Sequence, residues 1–260
     1  MHKSGKITQI GVKLLKKVLT PETPRCCAVI AAAGSSERFN REDKLFIQLN
    51  GAPVLAHTLT AFQRSVHINE IVLVTREETL DRAQETCERY GIKKLKAIIT
   101  GGATRLESVF NGAYAASDEC NLIAIHDGAR PCVDGNLIKR TVDMAAKHHA
   151  VAPGIRINST VKRFSKGMII ETIDREELLE IQTPQVFQSD IIKAALSVAV
   201  ETSQDITDDC MAAELIGVPV RVTEGSRFNI KLTTREDIIV AEAIIKWFVS
   251  RRKQDNAIPL

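Results

Sequence analysis

The chain has 260 residues and nearly balanced charge, with 35 Lys and Arg against 32 Asp and Glu and a formal net charge of +3. This balance excludes a protein that holds nucleic acid mainly by bulk electrostatic attraction. The aromatic content of 4% disfavours a platform for stacking single-stranded bases. No apolar run reaches the roughly 20 residues needed to cross a bilayer. The chain is long enough to bury a core without a disulfide or metal.

The first 24 residues form a basic N-terminal extension, in which five lysines stand against one acid, Glu22. The lysines interrupt every apolar run, which excludes a secretory signal. We interpret the segment as a loosely ordered tail. Contact with a membrane surface or a partner is the alternative, because apolar residues recur along one helical face. These residues are Ile7, Ile10, Leu14 and Val18.

The cysteines indicate a reduced protein. None belongs to a C-x-x-C pair, and none has a histidine at the spacing of a zinc site. We therefore predict six core cysteines in a cytoplasmic protein, since no export signal is recognised. They are Cys26, Cys27, Cys87, Cys120, Cys132 and Cys210.

Strands alternate with helices along most of the chain. An uncharged apolar run predicts a buried parallel strand at 26–33, and similar apolar runs predict strands at 71–75, 95–100 and 122–126. Helical spacing is found between them at 54–64, 77–90 and 104–116. This alternation predicts an α/β fold, a Rossmann-like and mainly parallel sheet with helices on both faces. A single domain is expected over 25–250, followed by a C-terminal tail at 251–260.

The pattern changes between about residues 156 and 177. The runs VKRF and MIIETI flank Ser165-Lys166-Gly167, which predicts a protruding β-hairpin arm with a glycine-containing turn. Such an arm either makes dimer contacts or covers its own domain, and the sequence leaves both open. Helical spacing returns at 191–200, 208–215 and 236–249, with short strands expected near Val220 and Ile230.

The segment after the first strand, AAAGSSERFNREDK, has the parts of a phosphate site. It lacks the three glycines of G-x-G-x-x-G and the pattern of a Walker A loop. Its small residues let the backbone approach a ligand, and Ser35 and Ser36 supply hydroxyls. Arg38 and Lys44 supply charges suited to phosphoryl oxygens. A phosphate site and a solvated loop with incidental charge fit this spacing equally well.

Two further segments follow predicted strands. Gly101 to Ser108 opens a helix, either as a ligand-binding turn or simply as a turn capped by Thr104. Asp127 ends a strand, where it suits Mg²⁺ or a ribose hydroxyl. The neighbouring His126 is interpreted as a packed residue, because nothing near it forms a nucleophile–base pair. Both segments lie at carboxyl ends of strands, where α/β sheets bind ligands.

Six motifs occur in an order that resembles one enzyme family, the 2-C-methyl-D-erythritol 4-phosphate cytidylyltransferases of the non-mevalonate isoprenoid pathway. The resemblance covers about Cys26 to Val249. Each motif alone is generic to sugar nucleotidyltransferases, whereas the ordered set is specific. The motifs are AAAGSSERF with Lys44, GGATRLESV, HDGARP, Gln182-Thr183-Pro184-Gln185, Thr207-Asp208-Asp209 and NIKLT, and the hairpin arm ending in Asp174-Arg175 lies between the third and the fourth.

The resemblance implies attack of the methylerythritol phosphate on the α-phosphorus of CTP, with pyrophosphate leaving and Mg²⁺ or another divalent cation bound. This chemistry needs positioned cations and no covalent intermediate. The implied catalytic residues are Arg38, Lys44 and Lys231, the last on a late strand. The implied CTP contacts are Ala32, Ala33, Gly34, Gly102, Ser108 and Asp127, with Asp127 also the candidate metal ligand. The implied contacts to the second substrate are Arg130, Thr160, Arg175 and Thr183.

The resemblance also implies a homodimer, in which the arm crosses to the other subunit and carries Thr160 and Arg175 there. The chain departs from the family pattern at several positions. Asp43 stands where proline commonly precedes the catalytic lysine, and it either lowers the local positive potential or faces solvent. Ser36 replaces a common glycine, and Ala103 stands where some members have an acid. The basic extension has no counterpart.

Two other functions remain open on the sequence. Ribitol 5-phosphate cytidylyltransferase has the same fold and chemistry with a different polyol phosphate. A non-catalytic nucleotide-binding module is the more distant alternative. Retention of Arg38, Lys44, Arg175 and Lys231 argues against that module, because mere binding has no need of the full set of cations.

Overall fold

The computed structural model describes residues 24–34 and 43–255, with side chains as far as Arg251. The predicted N-terminal extension, except its last residue, lies outside the described residues. So do Ser35, Ser36 and the predicted catalytic residue Arg38.

Twelve strands form within the described residues. They are β1 Cys26–Ala32, β2 Gln48–Leu49, β3 Ala52–Pro53, β4 Glu70–Thr75, β5 Leu95–Thr100, β6 Leu122–Asp127, β7 Ala150–Arg156, β8 Val161–Ser165, β9 Met168–Ile173, β10 Leu179–Ile181, β11 Gln185–Gln188 and β12 Arg221–Glu224. The α-helices of the same part of the chain are α1 Val54–Arg64, α2 Leu80–Arg89, α3 Arg105–Ala115, α4 Gly135–His148, α5 Ser189–Glu201, α6 Asp209–Leu215 and α7 Glu236–Asp255. None of these helices is long and apolar enough to cross a membrane.

An eight-stranded sheet runs through the centre in the order β10-β7-β11-β6-β1-β4-β5, and β12 pairs with β7. β1 pairs in parallel with β4 and with β6, and β4 pairs in parallel with β5. β11 runs antiparallel between β6 and β7. The predicted α/β fold with a mainly parallel sheet is therefore confirmed.

Helices cover both faces of the sheet, as the sequence predicts. Successive residues of β1 belong to different cores, with Cys26 and Ala28 on one face and Cys27 and Val29 on the other. Residues of α1, α2, α4 and α7 pack in the first core, and residues of α3, α5 and α6 in the second. On α3, a Cβ added at Gly112 would lie 2.5 Å from Val29 Cγ1, so the helix packs as close as glycine allows.

The cysteine prediction is also confirmed within the fold. All six cysteines are buried and free. Burial raises the pKa of Cys87 to about 11 and that of Cys132 to about 12. These thiols are therefore protonated at neutral pH and pack as small apolar groups.

Three features differ from the sequence predictions. Helix α4 and strand β7 have no predicted counterpart. Helix α7 continues to Asp255, into the segment predicted as a C-terminal tail. The strand predicted near Ile230 is wrong, because residues 226–233 are irregular. Their backbone bonds go to scattered partners, such as Leu232 N to the Ala129 carbonyl at 2.9 Å, so no strand ladder forms.

The hairpin arm forms as predicted. β8 and β9 pair antiparallel with each other as a separate two-stranded sheet. Their turn places Lys166 at φ +48° and Gly167 at φ +79°, the left-handed conformations of a tight hairpin turn. Phe164 is 75% exposed and Ile169 68% exposed. The arm therefore does not cover its own domain.

Candidate active site

An open cleft of about 620 Å³ lies at the carboxyl ends of β1, β4, β5 and β6. Loops after four neighbouring strands meet there, which is where α/β sheets bind ligands. Eight of the residues predicted for catalysis or CTP binding line the cleft: Ala32, Ala33, Gly34, Lys44, Gly102, Ser108, Asp127 and Lys231.

The turn after β5 packs closely against the loop after β1. A Cβ added at Gly101 would lie 2.6 Å from both the Ala33 Cβ and the Ser108 Oγ, so this position has no room for a side chain. The Ser108 hydroxyl accepts from Gly102 N at 3.1 Å and donates to the Thr104 carbonyl at 2.8 Å. Ser108 therefore holds the glycine turn in place.

Thr104 caps helix α3, as one of the two interpretations of this segment predicts. Its side chain accepts from Glu107 N at 3.1 Å, and the Glu107 carboxylate accepts from Thr104 N at 3.3 Å, which completes a capping box. The same turn lines the cleft. The turn is therefore both a helix start and a wall of the site.

Two lysines reach the cleft from distant parts of the chain. Lys44 begins a short 3-10 turn, and its Nζ donates to the Leu232 carbonyl at 3.0 Å. Lys231, on the irregular segment that replaces the predicted strand, places its Nζ 2.9 Å from Asp127 Oδ2. These contacts bring two predicted catalytic residues to one side of the cleft.

Asp127 is the centre of the charge network. Its Oδ2 lies 3.3 Å from Arg130 Nε as well as 2.9 Å from Lys231 Nζ, and its Oδ1 lies 3.8 Å from Arg105 Nη2. Burial opposes ionisation of this carboxyl. The surrounding cations, Lys231 first, nevertheless hold the pKa of Asp127 well below its ordinary value. Asp127 is thus a buried carboxylate that stays charged at neutral pH.

Arg105 is a functional candidate that the sequence reasoning missed. It lines the cleft and donates two hydrogen bonds to the Asp209 carboxylate, at 2.9 and 2.8 Å. Asp209 is fully buried, and its attraction raises the pKa of Arg105 above the usual value. The pair links the Thr207-Asp208-Asp209 motif to Asp127, a contact for which the sequence carries no spacing signal.

The Gln185 side chain joins the 183–185 segment to the Thr207-Asp208-Asp209 motif. Its Oε1 accepts from Asp209 N and Cys210 N, each at 3.0 Å. Its Nε2 donates to Asp208 Oδ2 at 2.9 Å, and Asp208 caps helix α6. The segments that resemble family motifs at 183–185 and 207–209 are therefore joined through the buried residues Gln185 and Asp209.

Arg130 and Thr183, predicted to contact the second substrate, are buried beside Asp127. Arg130 Nη1 donates to the Asn229 carbonyl at 2.7 Å. Thr183 Oγ1 accepts from Asp127 N at 3.1 Å and pairs with His126 Nδ1 at 2.9 Å. Neither residue is among those lining the cleft. In this structure they hold the Asp127 loop in position, and their predicted substrate contacts stay predictions.

His126 is packed, as predicted. It is fully buried, and its ring centroid lies 4.8 Å from that of Phe62. Burial lowers its pKa to about 3. Since the Arg130 carbonyl 3.4 Å from Nε2 can only accept, Nε2 carries the proton and Nδ1 accepts from Thr183.

The arm residues lie apart from the cleft. Thr160 is exposed ahead of β8. Arg175 Nη1 donates to the Asn158 carbonyl at 2.5 Å and lines a separate pocket of about 140 Å³ at the base of the arm. One chain alone therefore does not bring Thr160 and Arg175 together with Asp127.

Asp43, the departure from the family pattern, does not face solvent. Its side chain is 10% exposed and pairs with Arg76, a second cleft residue that the sequence reasoning missed. The negative charge beside Lys44 is thus matched by a cation from the end of β4. Of the two interpretations offered for Asp43, exposure to solvent is wrong.

Comparisons with known proteins identify the family of the chain. The family model described as IspD, 2-C-methyl-D-erythritol 4-phosphate cytidylyltransferase, matches residues 26–247. A protein of that name from Halalkalibacterium halodurans is 43% identical over 218 residues, covering 84% of this chain and 95% of the relative. One from Dehalococcoides mccartyi is 41% identical over 220 residues, with the same coverage of 84% and 95%.

Solved structures agree in the fold. The crystal structure of 4-diphosphocytidyl-2C-methyl-D-erythritol synthase from Anaerococcus prevotii matches with a TM-score of 0.77 and 31% identity, over 86% of this chain and 97% of that chain. That of 2-C-methyl-D-erythritol 4-phosphate cytidylyltransferase from Thermus thermophilus matches with a TM-score of 0.72 and 27% identity, over 84% and 98%. The chain belongs to the 2-C-methyl-D-erythritol 4-phosphate cytidylyltransferase family.

Proposed function

We propose that this chain joins CTP and 2-C-methyl-D-erythritol 4-phosphate, giving 4-diphosphocytidyl-2-C-methyl-D-erythritol and pyrophosphate. The observation that carries the proposal is the convergence of Lys44, Lys231 and Asp127 on one cleft beside two turns of small residues. The names of the relatives supply the substrates. They carry the methylerythritol name, and no contact in the cleft favours ribitol phosphate or a module that only binds nucleotide.

The reaction is a single displacement at phosphorus. A phosphate oxygen of methylerythritol phosphate forms a bond to the α-phosphorus of CTP. The bond from that phosphorus to the bridging oxygen breaks, and pyrophosphate leaves with the electron pair. The protein must align the two anions and neutralise the charge that crowds around the α-phosphoryl group.

Lys44 and Lys231 are the cations that would meet this charge. They lie far apart in the chain, yet Lys44 Nζ contacts the Leu232 carbonyl, next to Lys231, and Lys231 Nζ contacts Asp127. Because each is tied to an oxygen of the protein, its position is set before substrate arrives, which lowers the reorganisation needed in the transition state. The role of Arg38 stays a prediction from the resemblance.

CTP would be held mainly by backbone groups. Ala32 ends β1 and is followed by Ala33 and Gly34, while Gly102 follows β5, and all four residues line the cleft. Small residues at these positions let a nucleotide approach main-chain donors closely. Ser108 contributes by fixing the Gly102 turn through the 3.1 Å bond to Gly102 N.

The cleft fits a divalent cation bound together with the triphosphate. No cluster of three His, Cys, Asp or Glu side chains suited to a metal occurs in the described part of the chain. Mg²⁺ at phosphate sites takes one or two carboxylates and completes its shell with substrate oxygens and water. Asp127 supplies a carboxylate that is already ionised, so it would hold the cation. The cation, when bound, neutralises charge on the phosphoryl oxygens.

The binding site for the second substrate would be completed by a second subunit. The arm exposes a row of large apolar side chains, which suits a contact surface rather than solvent. They are Phe164, Met168, Ile169 and Ile170. We infer a homodimer in which the arm of each subunit brings Thr160 and Arg175 to the cleft of the other. A cytoplasmic location stays a prediction from the sequence.

A pyrophosphate-release assay tests the proposal. The full chain is incubated with CTP and Mg²⁺, and methylerythritol phosphate is compared with ribitol 5-phosphate. Release only with methylerythritol phosphate, and its loss when EDTA is added, is the expected result. Release only with ribitol 5-phosphate would replace the substrate. Release with neither, while CTP still binds, would favour a nucleotide-binding module.

A further inference from the structure

Arg76 lies at the edge of the cleft, where the proposed function gives it no role. It follows directly after Thr75, the last residue of β4, and lines the cleft beside Lys44. Its side chain is 28% exposed, so most of it is enclosed by protein. An arginine held there serves either the phosphates or the residues that surround them.

The guanidinium connects two chain segments that face each other across the cleft edge. Nη1 donates to the Gly34 carbonyl at 2.8 Å, and Nη2 pairs with the Asp43 carboxylate. Nε lies 3.8 Å from Glu78, whose side chain is largely exposed. A planar guanidinium can serve two acceptors in fixed directions, which the ammonium of a lysine does not. Arg76 thus ties Gly34, shortly after β1, to Asp43, the residue before Lys44.

Asp43 in turn holds the backbone of the turn that begins at Lys44. Its Oδ1 accepts from Leu45 N at 3.1 Å, and its carbonyl accepts from Phe46 N at 3.0 Å. Both bonds fix the 3-10 turn whose first residue is Lys44. Asp43 has φ −75°, within the range that proline imposes. The backbone before Lys44 is therefore proline-like, but side-chain contacts hold it where a ring would do so in the family pattern.

We propose that Arg76 is a positioning residue for the proposed reaction, which holds Gly34 and Asp43 so that Lys44 enters the cleft in a set position. The inference rests on the proposed function, because the role of Lys44 belongs to it. Arg76 then acts on catalysis through Lys44. The competing role is direct contact between Arg76 and the triphosphate. The two roles predict different effects of an Arg76 substitution when Lys44 is also replaced.

A double-mutant cycle of Arg76→Gln with Lys44→Ala separates these roles. Both singles and the double are made in the full chain, and kcat and the KM for CTP are measured by pyrophosphate release. Arg76→Gln alone is expected to lower kcat about 10-fold, with a change in KM below about 3-fold. On top of Lys44→Ala it should cost less than about 2-fold, because the group it positions is gone. Equal losses in both backgrounds would overturn the inference and indicate direct contact with phosphate.

A second cycle uses variants that keep Lys44. Asp43→Asn retains an acceptor for Leu45 N but removes the charge that faces Arg76. If the pair acts as one unit, the kcat of the double variant Arg76→Gln with Asp43→Asn should lie within about 2-fold of the kcat of the slower single variant. Losses that multiply would overturn the inference. This cycle decides the matter even where Lys44→Ala is too slow to measure.

Arg25→Gln is the matched control. Arg25 forms an exposed pair with Glu119 at 3.3 Å, next to the opposite end of β1 from the cleft, so its loss should leave kcat unchanged. Unfolding midpoints are measured for all variants, and a loss of activity at Arg76 that only follows loss of folded protein would overturn the inference. If the wild type is active and Arg76→Gln has the same kcat, only the role of Arg76 is contradicted. If the wild type is inactive, the proposed function is contradicted as well.

Discussion

The cleft and the arm use the same kinds of side chain in opposite ways. At the cleft, Asp209 is fully buried and accepts two hydrogen bonds from Arg105. On the arm, Arg163 pairs with Glu171, but the two side chains are 67% and 48% exposed. A buried carboxylate without its cation carries a large desolvation cost, whereas an exposed pair is screened by water. Only the cleft therefore depends on its charge pairs for its shape.

The apolar residues show the reverse contrast. The strands that lead to the cleft bury their apolar side chains in two cores, while the arm leaves Phe164 and Ile169 largely exposed. Within the described residues, the strands that form the cleft are packed on both faces, while the apolar side chains of the arm stay exposed. This contrast is what the proposed function expects if one chain organises the CTP chemistry and a second chain completes the site for the second substrate. Four predictions test this contrast, beginning with the largest expected effect.

Lys44→Ala should lower kcat for pyrophosphate release by about 10³-fold, because a pre-positioned cation at the phosphates is lost. CTP should still bind within about 10-fold of the wild-type affinity, which isothermal calorimetry measures. Lys166→Ala, at the arm turn and away from the cleft, serves as the matched control and should keep CTP binding unchanged. Near-normal turnover of Lys44→Ala would contradict the catalytic role.

Asp209→Asn should lower the free energy of unfolding by about 3 kcal/mol, because the partly enclosed Arg105 loses its charge partner. Glu171→Gln removes the corresponding charge on the arm and should cost less than about 1 kcal/mol. Urea unfolding at neutral pH measures both variants. Equal losses would show that burial does not distinguish the two pairs.

Arg175→Ala should lower kcat/KM for methylerythritol phosphate by about 30-fold and leave CTP binding unchanged, because the arm serves the second substrate. Mixing it with Lys44→Ala should restore activity. In a dimer with exchanged arms, about a quarter of all sites combine an intact cleft with an intact arm after random reassociation. No recovery, with dimers present by light scattering, would place the arm on its own cleft.

Asp237→Ala should lower the free energy of unfolding by about 1 kcal/mol at pH 7, because the carboxylate accepts from Thr233 N at 2.7 Å and Thr234 N at 2.8 Å. Burial opposes its ionisation, but these hydrogen bonds hold the pKa of Asp237 below its ordinary value. The folded form thus favours the charged carboxyl, and this stabilisation is present above pH 4 or so and is lost as the pH falls below it.

The difference in the free energy of unfolding between Asp237→Ala and the wild type should therefore be smaller at pH 3 than at pH 7. Urea unfolding at pH 3 and pH 7 measures it. Asp174→Ala on the arm is the control. Asp174 also caps a short turn, accepting from Glu176 N at 3.0 Å, but it is exposed, and its loss should cost less than about 0.5 kcal/mol. A constant difference from pH 7 to pH 3 would mean that charge at Asp237 does not contribute.

Much of the scaffold could be predicted because its signals are local. An apolar run such as CCAVIAA reads as a buried strand whatever it packs against. The Ser165-Lys166-Gly167 segment likewise encodes its own turn. Ile230 shows the limit of this reasoning. Apolar and polar residues alternate around it as in a strand, but the backbone there bonds to Ala129 and to the Arg130 side chain instead.

The sequence by itself predicted the alternation of strands and helices and the arm, and its family resemblance named Lys44, Asp127 and Lys231 as the expected carriers of the chemistry. Only the tertiary structure decided how these charges are supported. Asp209 lies 104 residues from Arg105, and Arg76 lies 33 residues from Asp43, so no spacing rule connects them. Their pairing follows from the parallel strands, which bring the ends of distant segments to one buried edge, where an unpaired charge would be too costly to keep.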